Sequence, residues 1–296
     1  MNQKIPIGVD LDPTLGYERN SRIRDIFNFF LIPILNILPG SLRGLVKKTH
    51  QLAGEIIDKA TSHEALEILY KEGEPHKTRN IIQSLFYYIW FTTNNPKAIR
   101  NRLRLVTREL SNELSRKFKD RKGVRLLSIA SGSARAVVDS LQKTTQKEIR
   151  CSTLFLDKNE KAHQYGKDLL RKKNFPPNYN FNWVGDTASN FPKYYKEKEE
   201  LDIIEMVGLL DYFVDKKIEE IFSLIYQNLS LEGVLITANI RDNAERPFLT
   251  NLVGWKMIYR EPEDFYRMAF KAGFKKENIK ILIEPMKIHF VMIARK

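Results

Sequence analysis

The residues of this 296-residue chain that could do chemistry cluster at the ends of short apolar runs in its second half. In "LLSIASGSARAVVDSL", Leu126 to Leu141, a buried strand passes through Ser131, Gly132 and Ser133 into a helix. A turn of such small residues lets a ligand touch backbone, and the helix after it offers free N–H groups to a carboxylate. A dinucleotide-binding loop would show three glycines. Here those places hold Ala130, Gly132 and Ala134, so a plain strand-to-helix turn stays open as a reading. The next run, "STLFL", ends in Asp157, which can accept both hydroxyls of a ribose or cap the helix "KNEKAHQYGKDLL". "FNWVGD" ends in Asp186, followed by Thr187, where a carboxylate can accept the exocyclic amine of adenine or cap a helix. "DIIEMVGLLDYF" passes through Val207 and Gly208, and a glycine there lets a ligand lie close to the backbone.

Taken in order, these strand ends specify an adenosine-containing ligand better than any one alone. Both NAD and S-adenosylmethionine qualify. A pyrophosphate needs the close approach that a full G-x-G-x-x-G loop permits. Alanines at 130 and 134 disfavour that approach, whereas a methionine tail needs only a small turn and a few N–H donors. The expected cofactor is therefore S-adenosylmethionine, and no metal site is expected.

These residues need a scaffold that brings strand ends together. After Gly123, β-rich runs alternate with helical stretches: "VRLLSIA", "CSTLFLD", "FNWVGD", "LDIIEMV", "GVLITAN", "IKILIEP" and "HFVMIAR". The first five are separated by helices or long connections, which implies a parallel sheet with helices on both faces. The last two are separated by about Met286 to Ile288, which suits a hairpin and an antiparallel terminal strand. The expected fold is α/β, a Rossmann-like seven-stranded, mostly parallel sheet with an antiparallel terminal hairpin. Residues 1–120 are expected to form a helical N-terminal region that caps the substrate site or touches a membrane surface, and 121–296 the sheet domain. Within the helical region, Leu42 to Ala60, Ser62 to Tyr70 and Thr78 to Phe91 have apolar positions at helical spacing. A long amphipathic helix follows, with Asn95 as cap, Pro96 at its first position and a stripe of Ile99, Leu103, Val106, Leu110 and Leu114.

Composition narrows the classes. A hydrophobic share of 43% permits a proper core, and a single cysteine, Cys151, excludes an intrachain disulfide and cysteine-rich metal sites. The start "MNQKIPIGVDLDP" lacks the basic and apolar regions of a signal peptide, so a reducing, cytoplasmic setting is expected. A net charge of +13 fits nucleic acid, anionic lipid or an acidic small molecule, or a lysine-rich solvated surface. "FNFFLIPILNIL", Phe27 to Leu38, is twelve residues long and contains Pro33. It is too short to span a bilayer, which needs roughly 20 apolar residues. It reads as a core or lid helix, or as a segment lying on a membrane or over a greasy substrate. Arg19, Arg22 and Arg24 before it, and Arg43, Lys47 and Lys48 after it, keep the peripheral membrane option open.

Residues 123 to 296 resemble class I S-adenosylmethionine-dependent methyltransferases. Within that superfamily, "EMVGLLDYFVDKKIEEIFSLIYQNLSLEGVLITANI", "GWKMIYREPEDFYRMAFKAGF" and "AIRNRLRLVTREL" resemble bacterial extracellular-factor, 3-hydroxypalmitic acid methyl ester biosynthesis-type proteins. The superfamily usually has an acid two residues before the first loop glycine; this chain has Ser128, so backbone carbonyls would have to meet the methionine amino group. The resemblance implies that Ala130, Ser131, Gly132 and Ser133 line the methionine end of the cofactor. It implies that Asp157, with Lys158 beside it, holds the ribose, that Asp186 and Thr187 meet adenine, and that Val207 and Gly208 flank the sulfonium. Substrate would lie against Tyr212, Asn239, Arg241, Trp255, Tyr259 and Arg260. A carboxylate acceptor needs no general base, and Arg135, Arg241 and Arg260 are candidates to orient it, unless each pairs with a surface acid. The expected activity is methyl transfer to a small or lipid-like acceptor. An RNA methyltransferase and a non-catalytic cofactor-binding protein are the alternatives.

Overall fold

Seven apolar runs of the second half become strands of one sheet, and an eighth strand joins them from the start of the chain. The computed structural model describes residues 6–49, 51–70, 93–120, 123–195 and 200–296. The strands are β1 (Ile7–Val9), β2 (Gly123–Ile129), β3 (Arg150–Leu156), β4 (Tyr179–Val184), β5 (Leu201–Met206), β6 (Leu229–Ile240), β7 (Ile279–Ile283) and β8 (His289–Arg295). Their order is β1-β7-β8-β6-β5-β2-β3-β4. Only β8 runs against its neighbours, antiparallel to both β6 and β7. The expected α/β fold with an antiparallel terminal hairpin is thus present, with eight strands in place of seven. β1 escapes a sequence reading because three residues are too few to display a period. It is placed by pairing with β7, extended by Ile281 N–H donating to the Pro6 carbonyl at 3.0 Å.

The helices are α1 (Arg22–Ile37), α2 (Arg43–Thr49), α3 (Gln51–Asp58), α4 (His63–Tyr70), α5 (Asn94–Asp120), α6 (Arg135–Lys143), α7 (Glu160–Arg171), α8 (Asp215–Asn228) and α9 (Pro262–Lys271). The expected helix Leu42 to Ala60 is therefore divided into α2 and α3, while Thr78 to Phe91 lies outside the described residues. Alternation along the strands builds two cores. Leu127 and Ile129 of β2 pack with Ile204 and Met206 of β5 beneath α8 and α9. Val124 and Leu126 pack with Ile203 and Val234 beneath α5 and α6. Both faces of β5 are covered, so all six of its residues are buried.

Helix α5 is anchored at a point the sequence does not advertise. It begins one residue before the expected cap, and its first N–H groups are met by the Glu245 carboxylate. Asn94 N–H donates at 2.7 Å, Asn95 N–H at 3.0 Å and the Asn95 amide at 2.8 Å. A helix leaves its first N–H groups without internal partners, and an anion is favoured there. Of the expected stripe, Ile99, Val106, Leu110 and Leu114 are buried and Leu103 is only half-buried, because it faces a cavity.

Candidate active site

From β2 the chain winds to β3 and β4 on one side, and from β5 to β6 on the other, so the sheet switches direction between β2 and β5. Open α/β sheets bind ligands beyond the carboxyl ends of their strands at such a point. A cavity of about 440 Å³ opens there. Its walls include the loop from Ala130 to Ala134, the first turn of α6, Asp157 after β3, and Val207 and Gly208 after β5.

The loop keeps a glycine-like path despite its alanines. Ala130, Gly132 and Ala134 all have left-handed φ, at 52°, 51° and 57°. For a residue with a Cβ this costs about 1–2 kcal/mol. Such strain persists where the surroundings over-determine it, and it concentrates at functional sites. Gly132 N–H donates to Asp157 Oδ2 at 2.9 Å, and Asn159 N–H to Asp157 Oδ1 at 2.9 Å, so the acid pins the loop that it borders. No side chain caps α6, and Ser131 Oγ is buried without a partner. Gly208, at φ 84°, has open space where a Cβ would stand. Uncapped N–H groups, an orphaned hydroxyl and a carboxylate at the next strand end fit a ligand that carries both hydrogen-bond acceptors and hydroxyls.

Sequence reasoning missed the acid at the heart of this crevice. Glu205 stands opposite Ser128 in the β2–β5 register, is buried, and lines the cavity. Ser128 Oγ donates to Glu205 Oε2 at 2.5 Å. Burial pushes the Glu205 carboxyl up to about 7, against the Ser128 hydrogen bond and the nearby Arg102 charge, which both lower it. The position left empty of charge at Ser128 is thus supplied by the adjacent strand. Its signal was one glutamate inside the otherwise apolar "DIIEMV".

A second, apolar pocket of about 50 Å³ adjoins the crevice, sharing Leu66, Arg102, Gly208, Tyr212 and Trp255 with it. Ile56, Leu69, Ile99, Phe248, Val253 and Met257 supply apolar wall. Three polar groups converge on it. Arg102 of α5 is buried and its Nε has no partner. Burial works against the Arg102 charge, but Tyr70, Asp211 and Tyr212 outweigh it and raise its basicity. Asp211 accepts from Ile240 N–H at 2.9 Å, and burial raises its carboxyl. His289 is buried with both ring nitrogens unpartnered, and burial, then Arg102, hold it well below its ordinary value, so it is neutral at pH 7. Trp255 Nε1 donates to Tyr212 Oη at 2.7 Å, fixing the two rings at the junction.

Of the expected residues, Ala130, Ser131, Gly132, Ser133, Asp157, Val207, Gly208, Arg135, Tyr212 and Trp255 border the crevice. The others do not line either cavity. Lys158 is exposed. Asp186 is taken up by Thr187 N–H, Asn190 and Tyr194, whose hydrogen bonds hold its carboxyl down at about 2. Asn239 donates to the Ile240 and Ile258 carbonyls, and Tyr259 lies under the Arg246 guanidinium. The three arginines expected to orient a carboxylate are otherwise engaged. Arg241 is bound by Glu261, and Arg260 by Asp215 and the Leu210 and Phe213 carbonyls. Arg135 is clamped by Glu67 of α4, which also accepts from Tyr165 at 2.6 Å. Burial would raise the Glu67 carboxyl, but Arg135, Ser133 and Tyr165 outweigh it and hold it below its usual range. α4 thereby lies across the loop, with His63 Cβ 3.4 Å from where a Gly132 Cβ would stand.

No family model matches the chain, and no curated protein matches it. Solved structures do. A "possible exported protein" from Bordetella parapertussis superposes with a TM-score of 0.64 at 16% identity, covering 80% of each chain. The CurJ carbon methyltransferase superposes with a TM-score of 0.50 at 12% identity, covering 83% of this chain and 70% of that one. The fold is Rossmann-like, of a kind that methyltransferases use. At such identities the likeness is one of fold, and the site must be argued from its own residues. Among the described residues, no group of His, Cys, Asp or Glu is arranged to hold a metal ion.

Proposed function

We propose that the protein transfers the methyl group of S-adenosylmethionine to the carboxylate of a small, largely apolar acceptor. The observation that carries this reading is the junction of two cavities: a crevice suited to an adenosine-containing ligand opens into an apolar pocket that holds a buried arginine. When bound, the cofactor supplies an electrophilic methyl group on a sulfonium. The chain's own residues do the rest. Glu205 and Ser128 would hold the methionine ammonium and Asp157 the ribose, while the loop N–H groups and Ser131 Oγ would meet the methionine carboxylate. Arg102 would bind the acceptor carboxylate, whose oxygen would be the nucleophile. A carboxylate is ionised at neutral pH, so no proton need be removed, and the neutral His289 adds no competing charge. Tyr212 and Trp255 close the junction and exclude water. Alignment of this kind contributes about 7–11 kcal/mol in well-oriented reactions.

The test is two-fold. Calorimetry should give micromolar binding of S-adenosylmethionine and none of NAD. Labelled cofactor, offered total lipid extract and total RNA side by side, should then label lipid with a base-labile methyl ester. Label in RNA alone would overturn the acceptor assignment, and absence of cofactor binding would overturn the whole reading.

A further inference from the structure

Helix α1 is inside out. The face it turns to the protein carries the buried Arg24 and Asn28 alongside Ile32, and Asn28 donates to Asn94 Oδ1 at 3.1 Å. The face it turns to solvent carries Ile23, Ile26, Phe29, Phe30, Ile34 and Ile37. Ile23 is 80% exposed, Ile37 78%, Phe29 74% and Phe30 65%. At 100° per residue these six fall on a single side of the helix, so they form one stripe along it. A soluble helix with a free choice of rotation would turn that stripe inward. It is prevented from doing so by tethers at its far end. Asn36 donates to the Ala244 carbonyl at 2.7 Å and accepts from Phe248 N–H at 3.1 Å, and Leu35 and Leu38 pack into the cluster around Phe248.

We infer that this face docks on an anionic lipid bilayer. The occupant is chosen by charge and by length. Arg19 and Arg22 stand exposed at the start of α1 with no ion pair among the described residues, and Arg22 sits in the first turn, where the helix dipole disfavours a cation. Lys48 is exposed in the last turn of α2, and the chain as a whole carries +13. Exposed cations at the start of an apolar face match lipid headgroups beside acyl chains, which is the pattern of an interfacial helix. At 16 residues α1 is about 24 Å long, short of the roughly 30 Å hydrocarbon core, so it lies on the surface. Among the described residues no single helix is long and apolar enough to cross a membrane. The docked face stands one helix away from the apolar pocket, because α1 is fastened to the Ala244–Phe248 turn and Phe248 lines that pocket. An apolar acceptor dissolved in the bilayer would thus meet the protein beside its pocket. The docking itself does not depend on the methyl-transfer reading.

The experiment is co-sedimentation of the full-length protein with phosphatidylcholine vesicles, with and without phosphatidylglycerol, at low and high salt. No cofactor is added, so its outcome is separate from that of the activity assay. The protein should pellet with the anionic vesicles and lose much of that binding at high salt. Phe29→Ser with Phe30→Ser should weaken partitioning roughly tenfold or more, since apolar burial supplies the anchoring. Arg19→Glu with Arg22→Glu should remove most of the preference for phosphatidylglycerol. Far-UV circular dichroism and thermal unfolding, compared across the variants, report that they are folded. The inference is overturned if the parent ignores both vesicle types, or if Phe29→Ser with Phe30→Ser binds them as well as the parent. It is equally overturned if those serines dissociate a dimer, seen by light scattering, without any vesicle binding by the parent.

Discussion

Two residues decide what the site can hold. Glu205 is protonated over much of the range below pH 7, because burial raises its carboxyl to about 7. A ligand ammonium needs the ionised form. S-adenosylmethionine affinity should therefore fall about tenfold for each unit the pH drops below 7, and level off above it. Glu205→Gln should bind the cofactor more weakly and show no such slope in calorimetric titrations from pH 5.5 to 8. Stability should move the opposite way. A carboxyl raised from 4.5 to about 7 keeps its proton in the folded chain while the unfolded chain loses it. Folding stability thus drops as pH rises through that window, by roughly 3 kcal/mol for this group. Denaturation of Glu205→Gln beside the parent should show the variant gaining over the same window. Arg102 makes the second test. Arg102→Lys keeps the charge but cannot grip a carboxylate with two parallel hydrogen bonds. Loss of one charge-assisted hydrogen bond is worth about 1.5–3 kcal/mol. With the acceptor identified by labelling, kcat/KM should fall roughly tenfold to hundredfold, while cofactor affinity stays near that of the parent. An unchanged kcat/KM would remove Arg102 from acceptor binding.

At the scale of elements, α5 ties the N-terminal helices to the sheet and carries Arg102 into the pocket. Its start depends on Glu245, which lies about 150 residues further along the chain. Glu245→Ala should leave buried N–H donors unmatched and cost about 2–3 kcal/mol in urea denaturation. Glu245→Gln keeps one acceptor oxygen and should cost less. Thr93, Asn95 and Pro96 line the apolar pocket, so the same change should weaken acceptor binding more than cofactor binding. Equal loss of both would mean that Glu245 acts on the fold as a whole. α4 is the other element at the site. The Glu67–Arg135–Tyr165 cluster holds it over the loop, which turns an arginine expected to meet substrate into a clasp.

For the whole molecule, cofactor binding must appear as stability. A ligand that binds only the folded state stabilises it by about 2.7 kcal/mol at 100 times its dissociation constant. In a chain of 296 residues that should raise Tm by about 4 °C, read by differential scanning fluorimetry. NAD at the same concentration should leave Tm unchanged. A Tm that ignores S-adenosylmethionine would leave the crevice without its assigned ligand.

What the sequence determined by itself is local and periodic. The seven strands of the second half, the parallel order broken by a last hairpin, and the small-residue loop with Asp157 after the next strand follow from alternation, from turn residues and from strand-to-helix spacing. Those signals arise from neighbours along the chain, so they survive without knowledge of the fold. Tertiary structure alone decided the rest. β1 exists only because β7 offers it an edge, and Glu245 is a helix cap only because the chain returns to Asn94. Glu205 replaces the charge missing at Ser128 because two parallel strands set those residues side by side. Arg102 is one arginine among several on α5, marked only by its rotation into the cavity, while Arg135, Arg241 and Arg260 had partners far off in sequence. The outward stripe of α1 has the same origin: helical spacing shows which residues share a face, but tethers from Asn36 and Asn28 decide which way that face points.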